Sequence, residues 1–215
     1  MLILAHRGAS GYEKENTIPA FERALSLKAD FIELDVQQTL DDIFIVRHDT
    51  RFADGTAPSD LTYDDICMRG GEQVLLFDDA LRAFGDRIRI NVEIKAVRNM
   101  DSLLQRLRPY QKNILLSSFN HEYIMYAHTH APDILRGTLT VSRVCDPMAL
   151  LNSLDSDILI QHFEHVDRAY VERLHSMDKK IFVWNVNNEK DMRYFYEIGV
   201  DGLFTDFPDK VIDLC

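Results

Sequence analysis

Glu33 and Asp35, and again Glu93 and Lys95, stand two residues apart inside the short apolar runs FIELDV and VEIK. Residues two apart in a strand share a face, so each pair projects to one side near the strand's C-terminal end. Carboxylates inside apolar runs are costly to bury unless they are paired or bound to metal. One acidic residue at a strand end is more often a cap or an ion-pair partner. The same pattern on two strands points instead to a site, and three carboxylates make an oxygen-rich seat for Mg2+ or Ca2+. His6-Arg7-Gly8 ends the first apolar run and His48-Asp49 ends another. Histidine exchanges protons near neutral pH, so His6 and His48 can divide the acid and base roles of an in-line displacement at phosphorus. The metal, Arg7 and Lys95 would supply fixed positive charge, Arg7 gripping phosphate oxygens bidentately and Lys95 acting as a point charge. Gly8 lets the backbone turn sharply beside a substrate. His121, His128, His130, His162, His165 and His175 lie in helices or loops without a comparable setting and are read as structural, although His162 ends a strand and can approach a pocket.

These residues need a frame that gathers strand ends. Apolar, β-rich runs at Leu2–Arg7, Phe31–Val36, Ile88–Lys95, Ile114–Phe119, Leu135–Thr140, Asp157–His162, Lys180–Val186 and Gly202–Phe207 predict eight strands. Most are separated by apolar residues at three- and four-residue spacing, the mark of a helix with one buried face. Ile18–Leu25 is the clearest, with Thr17 placed to cap it and Pro19 in its first turn. Others run over Asp78–Phe84, Met100–Leu107, Asn120–His130, Pro147–Leu154, Arg168–Met177, Glu189–Ile198 and Asp209–Leu214. Strands alternating with helices predict an α/β protein with a parallel sheet, and eight such units in 215 residues match a compact (β/α)8 TIM barrel. A doubly wound open sheet is the alternative, but no GxGxxG turn follows the first strand. Residues 37–73 break the alternation with an extra strand at Ile43–His48, a turn at 54–58 and a small helix at Tyr63–Met68 opened by Thr62. This reads as a short insertion after strand 2, on the rim where loops shape a barrel's pocket.

A chain of this length suits one domain, taken as 1–215. Its 35 acidic and 24 basic side chains leave a formal charge of -11, which argues against nonspecific binding of nucleic acid. An anionic substrate is compatible with that charge, because bound cations and placed Arg or Lys side chains reverse the sign locally. Cys67, Cys145 and Cys215 are widely spaced and form no CxxC pair, so neither a disulfide framework nor a zinc site is expected. The apolar run Leu2–Ala5 is too short for a signal peptide or a membrane span, and a cytoplasmic protein without a membrane span is expected.

AHRGAS at 5–10, ENT at 15–17, ELDVQ at 33–37, HD at 48–49 and EIK at 93–95 are followed by SSF at 117–119, VWNVN at 183–187 and GVDGLFTDFP at 199–208. In this ordered set the sequence resembles the glycerophosphodiester phosphodiesterases over essentially its whole length. The resemblance implies a TIM barrel with a small insertion after strand 2, and hydrolysis of a small glycerophosphodiester to glycerol 3-phosphate and an alcohol. It implies His6 and His48 as the acid/base pair, Glu33, Asp35 and Glu93 as holders of Mg2+ or Ca2+, and Arg7 and Lys95 as phosphate ligands. Glu15 of ENT would stand beside the site, orienting groups or supporting the metal's ligands. Phe119 and Trp184 are similar to the family's apolar wall on the glycerol or leaving-group side. The attacking group, water or the substrate's own glycerol hydroxyl, stays open.

Departures from the family pattern lie on the rim: Asp41-Asp42-Ile43 stands where a glycine-containing turn is usual, Asn185 where threonine is commoner, and Gln161-His162-Phe163 where a proline-containing loop is usual. With the short insertion, these bear on the leaving group and leave the reaction type alone. Two rival readings make different demands. A barrel phospholipase of the lysophospholipase D kind calls for an exposed aromatic and basic docking stretch, which the sequence lacks. A non-catalytic phosphate- or metal-binding barrel has no need of both His6 and His48.

Overall fold

The computed structural model describes residues 1–70 and 74–212. Chain order runs β1 (Leu2–Ala5), α1 (Ile18–Ser26), β2 (Phe31–Gln38), β3 (Phe44–Val46), α2 (Tyr63–Gly70), α3 (Phe77–Phe84), β4 (Arg89–Ala96), α4 (Met100–Leu107), β5 (Ile114–Ser118) and α5 (His121–His130). It continues with β6 (Leu135–Thr140), α6 (Pro147–Ser153), β7 (Ile158–His162), α7 (Arg168–Ser176), β8 (Lys180–Trp184), α8 (Glu189–Ile198), β9 (Gly202–Thr205) and α9 (Pro208–Ile212). Strands β1, β2 and β4 to β9 pair in parallel around a ring, which closes because β1 bonds to both β2 and β9. The fold is the expected (β/α)8 barrel. The insertion after β2 is also present: β3 pairs antiparallel with β2, with Val36 opposite Val46 and Gln37 opposite Ile45. Its far end at Gln73, the last residues of the predicted 209–214 helix, and Cys215 lie outside the described residues. Cys67 and Cys145 are free thiols. No helix among the described residues is long and apolar enough to cross a membrane.

Period-two alternation sorts side chains between two cores. Ile32, Leu34 and Val36 of β2, with Ile90, Val92 and Ile94 of β4, face outward and pack with Phe21, Phe84, Leu103 and Leu107 from the surrounding helices. The intervening positions face the barrel axis, where Leu4, Phe31, Leu115, Leu139, Ile158, Ile160, Phe182 and Phe204 form a separate interior plug. Phe182 fits only because its neighbour is Gly202, where an added Cβ would lie 2.7 Å from the ring. Thr17 caps α1 as the sequence suggests, its side chain accepting from the Ala20 amide.

The differences from the expected boundaries are systematic. The predicted strands Leu2–Arg7, Ile114–Phe119, Lys180–Val186 and Gly202–Phe207 stop one or two residues early, at Ala5, Ser118, Trp184 and Thr205. All four shortfalls fall at the C-terminal rim, where the chain leaves the ladder to turn toward its helix. β2 and β4 do the reverse and run past their expected ends, because β3 and the paired neighbour strand continue their hydrogen bonding.

Removing the interior plug should be expensive. Phe182→Ala is expected to lower unfolding stability by ~3–5 kcal/mol, read from urea denaturation. A loss below ~1 kcal/mol would show that the barrel interior tolerates a cavity there.

Candidate active site

Strands β2 and β4 deliver the charge. Their register sets Asp35 opposite Glu93, with Glu33 one step further in. Phe31, Glu33 and Asp35 share the inward face, so the apolar plug gives way to carboxylates as β2 approaches the rim. Glu33, Asp35 and Glu93 are 1%, 0% and 9% exposed, and one oxygen from each lies within 4.8 Å of the others. Three anions this close and this dry repel one another. Burial, then Asp35 and Glu93, push the Glu33 carboxyl well above the ordinary range. Burial, then Asp35, lift Glu93 to about 7 although Lys95 opposes the rise.

Two cations and an amide offset part of that repulsion. Lys95 Nζ bonds to Glu93 Oε1 and lies 3.2 Å from Asp35 Oδ1. Burial disfavours the charge of Lys95, but Asp35 and Glu93 together outweigh it and raise the ammonium's pKa. Arg7 Nε lies 3.5 Å from Asp35 Oδ2, and its Nη1 donates to Glu15 at 2.7 Å. The Arg7 backbone N–H donates to Glu33 Oε2 at 2.7 Å. That amide can point inward because Arg7 is left-handed, with φ 54°, and Gly8 follows with φ 82°. Gly8 is needed twice over, since a Cβ there would also meet Ala20 at 2.7 Å. Asn16, left-handed at φ 58°, donates from Nδ2 to Asp35 Oδ2 at 2.8 Å.

The donor set suits a hard divalent cation. All three side chains offer oxygen, and Glu33 Oε1 is buried with no hydrogen-bond partner among the described residues. A buried carboxylate oxygen that takes no hydrogen bond is open to a cation as its partner.

His6 and His48 both line the cavity of this site. Asp206 accepts from His6 Nδ1–H at 2.7 Å, from Ser10 at 3.0 Å and from Asn187 at 2.6 Å. Burial raises the Asp206 pKa, but the His6, Ser10 and Asn187 bonds outweigh it and hold the carboxyl below the ordinary range. Asp206 therefore accepts only, which places the His6 proton on Nδ1 and leaves the Nε2 lone pair free. Asn185 Nδ2 packs beside the ring, 2.7 Å from Nδ1 and 3.0 Å from Nε2. His48 Nδ1 faces Asp49 Oδ1 at 2.9 Å, and this bond holds Asp49 below the ordinary carboxylate range.

His6, Arg7, Glu33, His48, Glu93, Lys95, Phe119 and Trp184 line one cavity of about 200 Å3, together with Ser117, Leu139, Asn185 and Phe204. Asp35 sits beneath it and Glu15 stands on the solvent side of Arg7. Phe119 and Trp184 meet edge to face with ring centroids 5.3 Å apart, and Phe119 remains 40% exposed. His162 packs against Trp184 with centroids 4.9 Å apart and does not line the cavity. His48 also borders a groove of about 290 Å3 that runs past Glu15, Thr17, Arg47 and Asp49.

Sequence reasoning assigned no role to Asp206, Asn187, Ser10 or Asn16. All four do occur within motifs of the resemblance: Ser10 in AHRGAS, Asn16 in ENT, Asn187 in VWNVN and Asp206 in GVDGLFTDFP. Nothing local marks Asp206 as the partner of a histidine 200 residues earlier; the β1–β9 pairing that closes the barrel makes them neighbours.

With this geometry in place, comparison with known proteins is informative. The model of the "Glycerophosphoryl diester phosphodiesterase family" matches residues 6–210. The chain is 30% identical to a glycerophosphodiester phosphodiesterase of Caldanaerobacter subterraneus subsp. tengcongensis, over 99% of this chain and 97% of that one. It is 30% identical to another of that name from Bacillus altitudinis, again over 99% and 97%. A solved phosphodiesterase of Oleispira antarctica, in complex with the product sn-glycerol-3-phosphate, shares the fold with TM-score 0.91 and 22% identity, covering 100% of this chain and 96% of that one.

The crowded carboxylates make a pH prediction. Glu33 and Glu93 titrate higher folded than their ordinary value near 4.5. Between that value and about 7 the folded metal-free protein therefore binds more protons than the unfolded chain. Stability tied to these groups is intact below the lower value and is lost as pH rises through the upper one. Metal-free Glu93→Gln should gain Tm over the metal-free parent as pH rises from about 5 to about 8, measured by thermal melts. Parallel Tm curves would remove the repulsion inferred for this cluster.

Proposed function

The chain belongs to the glycerophosphoryl diester phosphodiesterase family, and on that footing we propose that it hydrolyses glycerophosphodiesters to glycerol 3-phosphate and an alcohol with a divalent metal and two histidines. The observation that carries this reading is the convergence of three carboxylates, two cations and two histidines around a single cavity.

Glu33, Asp35 and Glu93 hold the metal, which when bound supplies Lewis-acid polarisation of a nonbridging phosphate oxygen. Arg7 and Lys95 would hold the phosphate, their charges already oriented by Asp35, Glu93 and Glu15. The aromatic corner of Phe119 and Trp184 gives the organic part of the substrate an apolar wall that excludes water. His6 is the better base of the two. Its Nδ1–H is held by a half-buried, ionised Asp206 that stabilises the imidazolium, whereas the His48 partner Asp49 is mostly in solvent. His6 Nε2 takes the proton of the attacking hydroxyl as its oxygen bonds to phosphorus. The bond from phosphorus to the alcohol oxygen breaks with its electron pair, and protonated His48 delivers a proton to that oxygen. Attack by water yields glycerol 3-phosphate directly; attack by the glycerol hydroxyl would yield a cyclic phosphate for a second hydrolysis.

General acid–base groups contribute typically ~10²–10⁴-fold to rate. His6→Ala and His48→Ala should each lose turnover of glycerophosphocholine by about that factor while keeping the parent's melting behaviour. Near-normal turnover in either variant would sink the assignment. Chelation should silence the enzyme and added Mg2+ or Ca2+ should restore it; full activity in the chelated protein would remove the role given to the carboxylates.

A further inference from the structure

The side chain of Gln37 is 1% exposed and sits under the loop that carries His48. The two N–H groups of its Nε2 serve three successive backbone carbonyls, Arg47 at 2.7 Å and Asp49 at 3.0 Å, with His48 at 3.3 Å as the longer, shared contact. The amide orientation follows from its partners, because Oε1 turned toward three carbonyl oxygens would be repelled.

This loop needs such a donor. β3 ends at Val46, so residues 47–49 leave the ladder with their carbonyls turned inward. The Arg47 N–H still reaches Asp35 O at 2.9 Å, but among the described residues no backbone N–H serves the three carbonyls, and besides Gln37 only Arg47 Nε, 3.1 Å from Asp49 O, donates to one of them. The His48 ring is about one-third exposed, and Asp49, which it bonds, is 69% exposed. A partly exposed ring with a solvated partner gains little rigidity from its own contacts. Its place is set by its backbone, and Gln37 together with the Asp35 carbonyl ties that backbone to β2. Gln37 shares the inward face of Glu33 and Asp35, just beyond a register shift between Val36 and Gln37. One strand thus carries two of the carboxylates and the clamp for a histidine.

We propose that Gln37 is a positioning residue that holds His48 at the distance proton delivery requires, coupling the second histidine rigidly to the strand bearing Glu33 and Asp35. The inference rests on the reading of His48 as the acid for the departing alkoxide.

The test compares two substrates with one glycerophosphate part: glycerophosphocholine, whose alkoxide needs a proton, and the p-nitrophenyl ester, whose phenolate leaves without one. A misplacement of about 1 Å can cost ~10²-fold in rate. Gln37→Met should therefore lose about 10- to 100-fold in kcat on glycerophosphocholine, with KM held within about threefold, and less than about threefold on the nitrophenyl ester. His48→Ala should show the same selectivity more strongly. If His48→Ala is selective but Gln37→Met slows both substrates alike, or neither, the positioning role is overturned while the reading of His48 stands. If His48→Ala is itself unselective, the role of His48 falls and this inference with it. Should the methionine variant not fold, Gln37→Glu, of the same shape, takes its place; failure of both to fold would make Gln37 a purely structural residue and overturn the proposal.

Discussion

Confining three carboxylates within 4.8 Å at the mouth of a barrel sets most of what surrounds them. Buried like charges are among the costliest arrangements a fold can hold, and each neighbouring feature lowers that cost. Lys95 shares the inward face of β4 with Glu93 and bridges to Asp35. Arg7 answers from the turn after β1 with both its guanidinium and its amide. Asn16 spends its side chain on Asp35. Among the described residues Glu33 Oε1 still has no hydrogen-bond partner, and Glu93 is still lifted to about 7. The compensation is partial, as suits a site proposed to take a divalent cation and an anionic phosphate.

That requirement explains the unusual backbone after β1. Three left-handed positions, Arg7, Gly8 and Asn16, lie within ten residues. Such conformations are sparsely populated for non-glycine residues. Here they aim one amide and one side chain at the carboxylates, while the Asn16 N–H donates to Arg7 O at 3.0 Å. Strain and charge thus balance in one short loop, and His6 is carried at its start.

The two histidines are held by different means. His6 is anchored through its ring, by a half-buried carboxylate on the neighbouring strand end. His48 hangs on a loop whose backbone is tied down from below by Gln37. This asymmetry suits the proposed division of roles: a base gains from a fixed counter-charge, whereas an acid serving leaving groups of varied size gains from an open side. The groove along Glu15, Thr17, Arg47 and Asp49 opens on that side.

Much of this was legible in the sequence by itself. Alternation of apolar strands and helices determined the barrel, because each element buries a face whose period is written locally. Period two also determined that Glu33 and Asp35, and Glu93 and Lys95, share faces, and so the chemistry of the site. Gln37 was legible in principle, as the next inward position after Asp35, but its target was not. What only the tertiary structure decided is which distant groups meet: Asp206 behind His6, Gln37 beneath His48, Asn16 on Asp35, and Trp184 against Phe119. Those meetings depend on closure of β1 onto β9 and on how β3 folds back over β2. Closure and fold-back are non-local, and no periodicity within one segment encodes them.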